Sequence, residues 1–338
     1  MPIVDSAIYR KGLRESQHVT LDQTFEDLHE HGGFAWIGLY RPTAAELMAV
    51  AEEFELHHLA VDAARTGHQR PKLERFGETL FVVLRPARYL EVEESVEFGE
   101  VHLFIGPNFA ITIRHAESPD LAMVRERLEA DPELLAIGPQ AVLYAVLDEI
   151  VDGYAPVVEG MENDIDEIED ELFSGDPDVA RRIYELAREA MAFQRATHPL
   201  VRVFRTLESG YGKHGVNIEL QRDMRDVLDH VLRTVERADT FRALLQNALT
   251  VHSTLVTQAQ NEEMRQLSHA SIEQGDQVKK ISSWAAILFT PGLVGTVYGM
   301  NFTHMPELNW TLGYPMSLAM MLVSASALYW VFKRHNWL

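Results

Sequence analysis

The sequence predicts an α/β cytoplasmic domain, a long stalk helix and two transmembrane helices. Three observations support this fold class: strand-like segments in the first 138 residues, a long proline-free stretch after residue 217, and two uncharged apolar segments after residue 280. Runs of aromatic and β-branched residues favour strands. Apolar residues recurring every three or four positions favour a helix, and about 20 apolar residues are enough to cross a bilayer.

The chain divides by composition into seven parts. They are an α/β domain at 1–138, an acidic helical hairpin region at 139–215, a stalk helix at 216–280, a first transmembrane helix at 281–300, an external loop at 301–313, a second transmembrane helix at 314–332 and a basic tail at 333–338. In the first part, strands are predicted at 34–41, 79–89, 98–105 and 109–114, with a helix at 43–54.

The second part is unusually acidic. Between Asp148 and Glu171 the sequence has eleven Asp and Glu residues and no Lys or Arg. A charge run of this kind is commonly a solvated helix face. Such a density of carboxylates also attracts hydrated divalent cations. The sequence leaves these two interpretations open.

The stalk is predicted from one apolar stripe. It is formed by Leu228, Val231, Val235, Ala238, Phe241, Leu245 and Ala248. A helix from Asn217 to Met300 would have 84 residues and extend roughly 126 Å at ~1.5 Å per residue. Because no single compact domain can bury such a rod, we expect partner helices from other copies of the chain.

The stalk contains a short internal repeat, which we call the echo. The segment QNEEMRQLS at 260–268 resembles QGDQVKKIS at 274–282, with a shift of 14 residues. Fourteen residues are two heptads, so the echo keeps the same helix face. We interpret it as a longer stalk without chemistry of its own.

The two apolar segments at 281–300 and 314–332 contain no charged residue. Buried helices of soluble proteins are usually shorter, so we interpret both segments as membrane spans. Gly292, Gly295 and Gly299 leave one face of the first span narrow. Such a face suits close helix packing, and it equally suits a pore.

Basic residues predict the orientation. Lys279 and Lys280 precede the first span and Lys333 and Arg334 follow the second, whereas the loop at 301–313 has no Lys or Arg. Since basic flanks favour the cytoplasmic side, we expect a multi-pass protein of the plasma (inner) membrane with both termini in the cytoplasm.

Composition excludes several classes of function. The formal net charge is −21, which argues against a nucleic-acid surface. There are no cysteines, so thiolate metal sites and disulfides are excluded. No nucleotide-binding motif, nucleophile or acid/base pair stands out. We therefore expect neither an enzyme nor a cofactor.

The end of the first span carries a family resemblance. YGMNF at 298–302, MPEL at 305–308 and a following Trp310 resemble the CorA family of divalent-cation channels, as do QRPKLERF at 69–76 and RDVLDH at 225–230. The resemblance implies a funnel-shaped homopentamer in membrane lipid. It also implies magnesium as the transported and regulatory ion, with cobalt or nickel tolerated.

The resemblance implies roles for individual residues. Gly299, Met300 and Asn301 would give ion selectivity, with Asn301 contacting the metal, while Glu307 would gather cations at the external mouth, Ile281 would form an apolar gate and Asp226 would bind regulatory magnesium. A partner acid for Asp226 stays open between Glu74 and Glu78. Gly275 stands where the family has a polar Asn ring.

The residues support a filter made of amides. Magnesium gives up its waters reluctantly, so a ring of neutral Asn301 side chains could hold the hydrated ion without binding it too tightly. Gly299 and Asn301 are also residue types that end helices, and both readings are compatible. Two alternatives remain: a zinc transporter of the related ZntB branch, or a two-span receptor or scaffold without transport.

Overall fold

The computed structural model describes residues 3–17, 24, 27, 28, 30–67, 69–173, 176, 178–302, 305, 306 and 310–338. The chain forms two compact units, Met1–His252 and Ser253–Leu338. The first unit is an α/β domain with helices, and the second is helical. The predicted fold class, an α/β domain followed by a long helix and two apolar C-terminal helices, is confirmed.

The first unit contains a seven-stranded sheet with the strand order β2-β1-β3-β9-β8-β5-β4. Its strands are β1 Ile3–Arg10, β2 Leu13–Gln17, β3 Phe34–Tyr40, β4 Lys72–Phe76, β5 Thr79–Leu84, β8 Val101–Ile105 and β9 Phe109–Arg114. The strands β3 and β9 are parallel and the other neighbours are antiparallel. A separate hairpin pairs β6 Ala87–Leu90 with β7 Ser95–Phe98.

Both faces of the sheet are covered. Along β5, Phe81 and Val83 belong to one buried cluster, and Val82 and Leu84 belong to the other. This alternation follows from the two-residue period of a strand. The first cluster includes α1 Ala44–Glu53 and α2 His58–Thr66, and α1 begins with a capping box at Thr43.

The opposite face packs against the helices that follow the sheet. They are α3 Leu121–Glu129, α4 Pro132–Leu135, α5 Pro139–Asp152, α6 Tyr154–Glu171 and α7 Val179–His214. Buried side chains of these helices and of the start of α8 form one continuous core. The acidic region is therefore helical, as its sequence predicts.

The next helix, α8, runs from Ile218 to Tyr298 and has 81 residues. Within the first unit it buries Val231, Ala238, Phe241 and Leu245, which belong to the predicted stripe. From residue 256 to residue 282 every side chain is exposed. The last helix, α9, is Gly313–Arg334.

Several elements of the first unit are not predicted by the sequence: β1, β2, β4, β7, α2, α3 and α4. The strand β4 has the sequence KLERF and lies at an edge of the sheet, with charged residues facing water. Edge strands tolerate such charges, which hides the apolar pattern from which strands are recognised.

Candidate functional site

Two helices of the described residues are long and apolar enough to cross a membrane. In the apolar 18-residue stretch of α8 only 11% of the residues are buried, and in the corresponding stretch of α9 only 6% of the residues are buried. Core helices of soluble proteins are mostly buried. Here large apolar side chains such as Leu288, Phe289 and Leu322 are exposed, and such a surface is stable in hydrocarbon.

The two apolar helices approach each other at two places in the described residues. Trp284 of α8 and Tyr329 of α9 lie with ring centroids 6.4 Å apart. A Cβ atom added at Gly295 would lie 3.3 Å from the Cε atom of Met321. At Gly292 the same atom would meet nothing within 4 Å. Gly295 thus serves helix packing, whereas Gly292 lies on an open face.

The contact between Trp284 and Tyr329 joins the beginning of one span to the end of the other. The basic pairs at 279–280 and 333–334 therefore lie at the same end of the helix pair. Lys333 lies 5.6 Å from the ring centroid of Tyr329, and Arg334 lies 5.4 Å from that of Trp330. Aromatic rings with basic neighbours are typical of a membrane–water interface.

The GMN tripeptide lies directly after the end of α8. The backbone N–H of Gly299 donates to the carbonyl of Gly295 at 2.9 Å, and that of Met300 donates to Val297 at 3.4 Å. A Cβ atom at position 299 would approach the Gly295 oxygen to 3.0 Å, so a side chain would crowd this last turn. Asn301 follows outside the helix and is exposed.

The other predicted residues of the pathway are placed as follows. Ile281 lies within α8 with 70% of its surface exposed, and Gly275 lies on the exposed stretch before it. Glu307 lies outside the described residues. No described group of three or more His, Cys, Asp or Glu side chains is arranged to hold a metal within one chain.

Asp226 lies on an acidic surface formed by α5 and α8. We call Asp148, Asp152, Asp223 and Asp226 the α5–α8 acidic cluster. The carboxylate of Asp226 is 76% exposed and lies 3.9 Å from His230 Nε2, while Nδ1 of the same ring lies 3.6 Å from Asp152. A single imidazole thus links the two helices.

The charges of this cluster affect one another. Burial, and then the charge of Asp152, raises the pKa of Asp148. Burial, and then Glu219 and Asp226, raises the pKa of Asp223. Burial and the neighbouring Asp148, Asp223 and Asp226 also raise the pKa of Tyr144 to about 12. Mutual repulsion of this kind is relieved by protons or by a bound cation.

The two acids considered as partners of Asp226 lie elsewhere on the first unit. Glu74 is on β4 and accepts a hydrogen bond from Lys72 Nζ at 2.8 Å. Glu78 follows β4 in a turn, where its carbonyl accepts from Arg75 at 3.5 Å. Among the described residues of one chain, neither acid makes an ion pair or hydrogen bond with Asp226.

Bases from other elements neutralise much of the acidic run. Arg182 of α7 pairs with Glu94, Glu167 and Glu171. Arg237 of α8 pairs with Glu162 at 2.6 Å. These pairs join residues 11 to 88 positions apart, so the charge run alone could not reveal them.

Two further contacts involve acids of this run, one with Arg127 and one with Tyr89. Arg127 of α3 lies within ion-pair distance of Asp148 and Glu149. Asp164 is 5% exposed and accepts hydrogen bonds from the Tyr89 hydroxyl. The acidic run is therefore partly a network of ion pairs and hydrogen bonds within the first unit.

His57 and His58 are adjacent in the sequence, and the contacts of His57 are structural. The Nδ1 atom of His57 accepts the backbone N–H of Leu59 at 3.3 Å and caps α2. Its ring stacks on Phe76 at 4.4 Å and on His58 at 4.5 Å. His68 lies outside the described residues.

Comparison with known proteins agrees with the predicted family. The model of the family described as CorA-like Mg²⁺ transporter protein matches residues 31–334. The cobalt/magnesium transport protein CorA of Thermotoga maritima is 28% identical over 309 residues, which cover 90% of this chain and 83% of that protein.

Solved structures show the same fold. The complete structure of the CorA magnesium transporter from Methanocaldococcus jannaschii superposes with a TM-score of 0.58 at 19% identity, covering 100% of both chains. The ZntB cytoplasmic domain from Vibrio parahaemolyticus gives 0.56 at 14% identity, over 77% of this chain and 98% of that one. At these identities both likenesses bear on the fold alone.

The family match covers both units, including the GMN tripeptide and both apolar helices. The Thermotoga maritima and Methanocaldococcus jannaschii proteins are named as transporters of magnesium, and the predicted resemblance is confirmed. The chain belongs to the CorA-like Mg²⁺ transporter family, a family of divalent-cation transporters.

Proposed function

We propose that the protein is a homopentameric channel for Mg²⁺ uptake across the plasma membrane, regulated by intracellular Mg²⁺ and tolerant of Co²⁺ and Ni²⁺. One observation carries this proposal. The apolar helix α8 ends at Tyr298, and the exposed Asn301 follows it directly, outside the helix. The side-chain amide of Asn301 is therefore accessible at the end of the first span.

The chemistry of magnesium suits this arrangement. Mg²⁺ demands near-octahedral oxygen ligands and keeps several of its waters. Neutral amide oxygens bind such a water shell, whereas a ring of carboxylates would hold the ion more strongly and slow its release. Two spans cannot enclose a water-filled path, so the pore requires several copies of the chain.

The basic and aromatic residues support the proposed orientation. Lys279, Lys280, Lys333 and Arg334 flank the spans at one end of the helix pair, and basic flanks favour the cytoplasm. Both long ends of the chain would then be cytoplasmic. The membrane potential would drive uptake, with ~2.3 kcal/mol per charge per 100 mV. A divalent ion gains about twice that amount.

Regulation is proposed at Asp226. The α5–α8 acidic cluster is exposed at Asp226 and carries carboxylates whose pKa values are raised by burial and by one another. Magnesium bound between this cluster and an acid of a neighbouring copy would relieve the repulsion and favour a closed state.

Two further residues have proposed roles along the pathway. Ile281 would form the apolar gate, and Glu307 would gather cations at the external mouth.

Liposomes that contain the purified protein and a magnesium-sensitive dye test the transport function. We expect Mg²⁺ influx in the wild type and its loss in Asn301→Ala, with assembly intact. Asn247→Ala is the matched control, because Asn247 is an exposed amide on α8 before the apolar segment. It should conduct as the wild type does.

Two outcomes would contradict the proposal. Wild-type flux in Asn301→Ala would exclude the amide filter. Zinc influx without magnesium influx in the wild type would instead support the zinc-transport alternative.

A further inference from the structure

The exposed part of α8 before the first span carries apolar residues that nothing in one chain covers. Between residues 256 and 282 every side chain is exposed. Met264, Leu267, Val278 and Ile281 are 66%, 60%, 55% and 70% exposed. With Val256 and Ile272, six large apolar side chains of this stretch are exposed, which indicates that part of it is covered in the assembled protein.

These residues occupy two copies of one pattern. Met264 and Leu267 lie in the segment QNEEMRQLS, and Val278 and Ile281 lie 14 residues later in QGDQVKKIS. Fourteen residues are two heptads, which return to the same face in a left-handed supercoil and drift by about 40° in a straight helix. Both pairs therefore face the same direction.

The helix face that contains the two apolar pairs has no charged residues, unlike the other faces. With Met264 at heptad position a, the charged residues of 257–282 occupy only positions b, c, f and g. These residues are Glu262, Glu263, Arg265, Glu273, Asp276, Lys279 and Lys280. Positions a, d and e carry no charge. In a bundle of parallel helices the a and d positions face the other helices, so the uncharged face is turned inward.

The uncharged face is not a continuous apolar seam. Between the two apolar pairs, positions a and d are Ser271 and Gln274, and before the first pair they are Thr257 and Gln260. An ordinary coiled coil repeats its apolar residues in every heptad. Apolar and polar tiers that alternate along the stalk suit a water-filled axis with two dry constrictions.

We propose that the echo duplicates the gate. Met264 and Leu267 form a second apolar constriction about 21 Å before that of Val278 and Ile281, and further copies of this chain supply the other sides of both rings. The proposal rests on the proposed function. Ser271 and Gln274 line a polar chamber between the constrictions, and closure of either ring stops the hydrated ion.

The same shift accounts for the unusual Gly275. Its counterpart 14 residues earlier is Asn261, an exposed residue at the same heptad position. The amide that is absent beside the constriction of Val278 and Ile281 is therefore present beside that of Met264 and Leu267. In this proposal the echo lengthens the stalk and also duplicates a constriction.

Cross-linking between copies tests the geometry without reference to transport. The chain has no cysteine, so a single introduced thiol is unique. Membranes with Leu267→Cys or Ile281→Cys should give cross-linked dimers on oxidation with copper phenanthroline. Ile272→Cys, exposed and at position b, is the matched control and should not. A Leu267→Cys protein that resembles the control would overturn the proposal.

Flux measurements test whether the two rings act in series. At high internal Mg²⁺, where the channel is closed, we compare the pair variant Met264→Ser/Leu267→Ser, the pair variant Val278→Ser/Ile281→Ser and the fourfold variant. Each pair variant should leak little more than the wild type, and the fourfold variant roughly tenfold or more. Ile272→Ser should behave as the wild type.

A leak as large in either pair variant as in the fourfold variant would overturn the duplicated gate, because one ring would then be the whole barrier. A different outcome would contradict the proposed function and leave the two constrictions standing. A wild type that carries no Mg²⁺ while Leu267→Cys and Ile281→Cys cross-link refutes transport and upholds the two apolar contacts. If the fourfold variant does not assemble, the cross-linking of Leu267→Cys decides whether Met264 and Leu267 form a second constriction.

Discussion

Replacement of Tyr89 by Phe tests the hydrogen bond that holds the buried carboxylate of the acidic run. The Tyr89 hydroxyl, on β6, lies 2.9 Å from each carboxylate oxygen of Asp164 on α6. Its ring packs on Gly160, where an added Cβ would lie 2.5 Å from Cδ1. The variant keeps the ring and removes only the donor.

The expected loss follows from the burial of Asp164, which is 5% exposed. A hydrogen bond to a charged group contributes about 1.5–3 kcal/mol, and a buried acceptor left without its donor loses that amount. For a unit of this size, 1 kcal/mol corresponds to roughly 2–4 °C in Tm. Tyr184→Phe is the control, since Tyr184 is 63% exposed, and it should change Tm little.

The loss should depend on pH. Burial raises the pKa of Asp164, and the hydrogen bond from Tyr89 lowers it, so the variant has a still higher pKa in the folded state. A raised carboxyl pKa gives stability that is present below the unfolded pKa of about 3.9 and lost as pH rises through the folded pKa. The deficit of the variant should therefore grow from pH 4 to pH 8.

Thermal unfolding in detergent, followed by tryptophan fluorescence at one scan rate, measures this deficit. In an Asp164→Asn background the cost of Tyr89→Phe should fall to that of a neutral hydrogen bond, about 0.5–1.5 kcal/mol. An unchanged Tm at pH 8, or a deficit that increases toward acid pH, would refute the reasoning.

Three further predictions concern charge and assembly. Arg182→Gln should lower stability by about 1–2 kcal/mol, because three partly exposed ion pairs of modest value are lost; an unchanged Tm in low salt would contradict this. Asp226→Ala should shift or flatten the inhibition of current by cytoplasmic Mg²⁺ in patch recordings, whereas a curve that overlays the wild type would place the sensor elsewhere. Native mass measurement in detergent should give an oligomer, expected to contain five chains, and a monomer that conducts would exclude the pore proposed here.

The positions of the long helices along the chain were predictable because their signals are local. The stripe of Val231, Ala238 and Phe241 repeats with the helix period, as predicted. These residues are buried in the core of their own chain, whereas we expected helices of other copies to cover them. The predicted helix from Asn217 to Met300 is observed from Ile218 to Tyr298. Helix ends are less certain than helix interiors, because the last turn depends on local caps.

The position of the GMN tripeptide at the end of a helix was predictable from the sequence, whereas the surroundings of Asp226 were not. The residues after Tyr298 could be placed beyond a span from hydropathy and from Gly299. The links among Asp226, His230 and Asp152 could not, since they depend on how α5 meets α8. Nothing local in the sequence indicates that packing.

By itself the sequence determined the strand-rich domain, the stalk helix, the two apolar spans and the family, because apolar periodicity and a short motif are properties of neighbouring residues. Only the tertiary structure decided which acids are paired. Arg182 reaches Glu94 across 88 positions and Tyr89 reaches Asp164 across 75. Such pairs form when separate elements fold onto one core, and their energies depend on burial and distance, which the order of residues does not state.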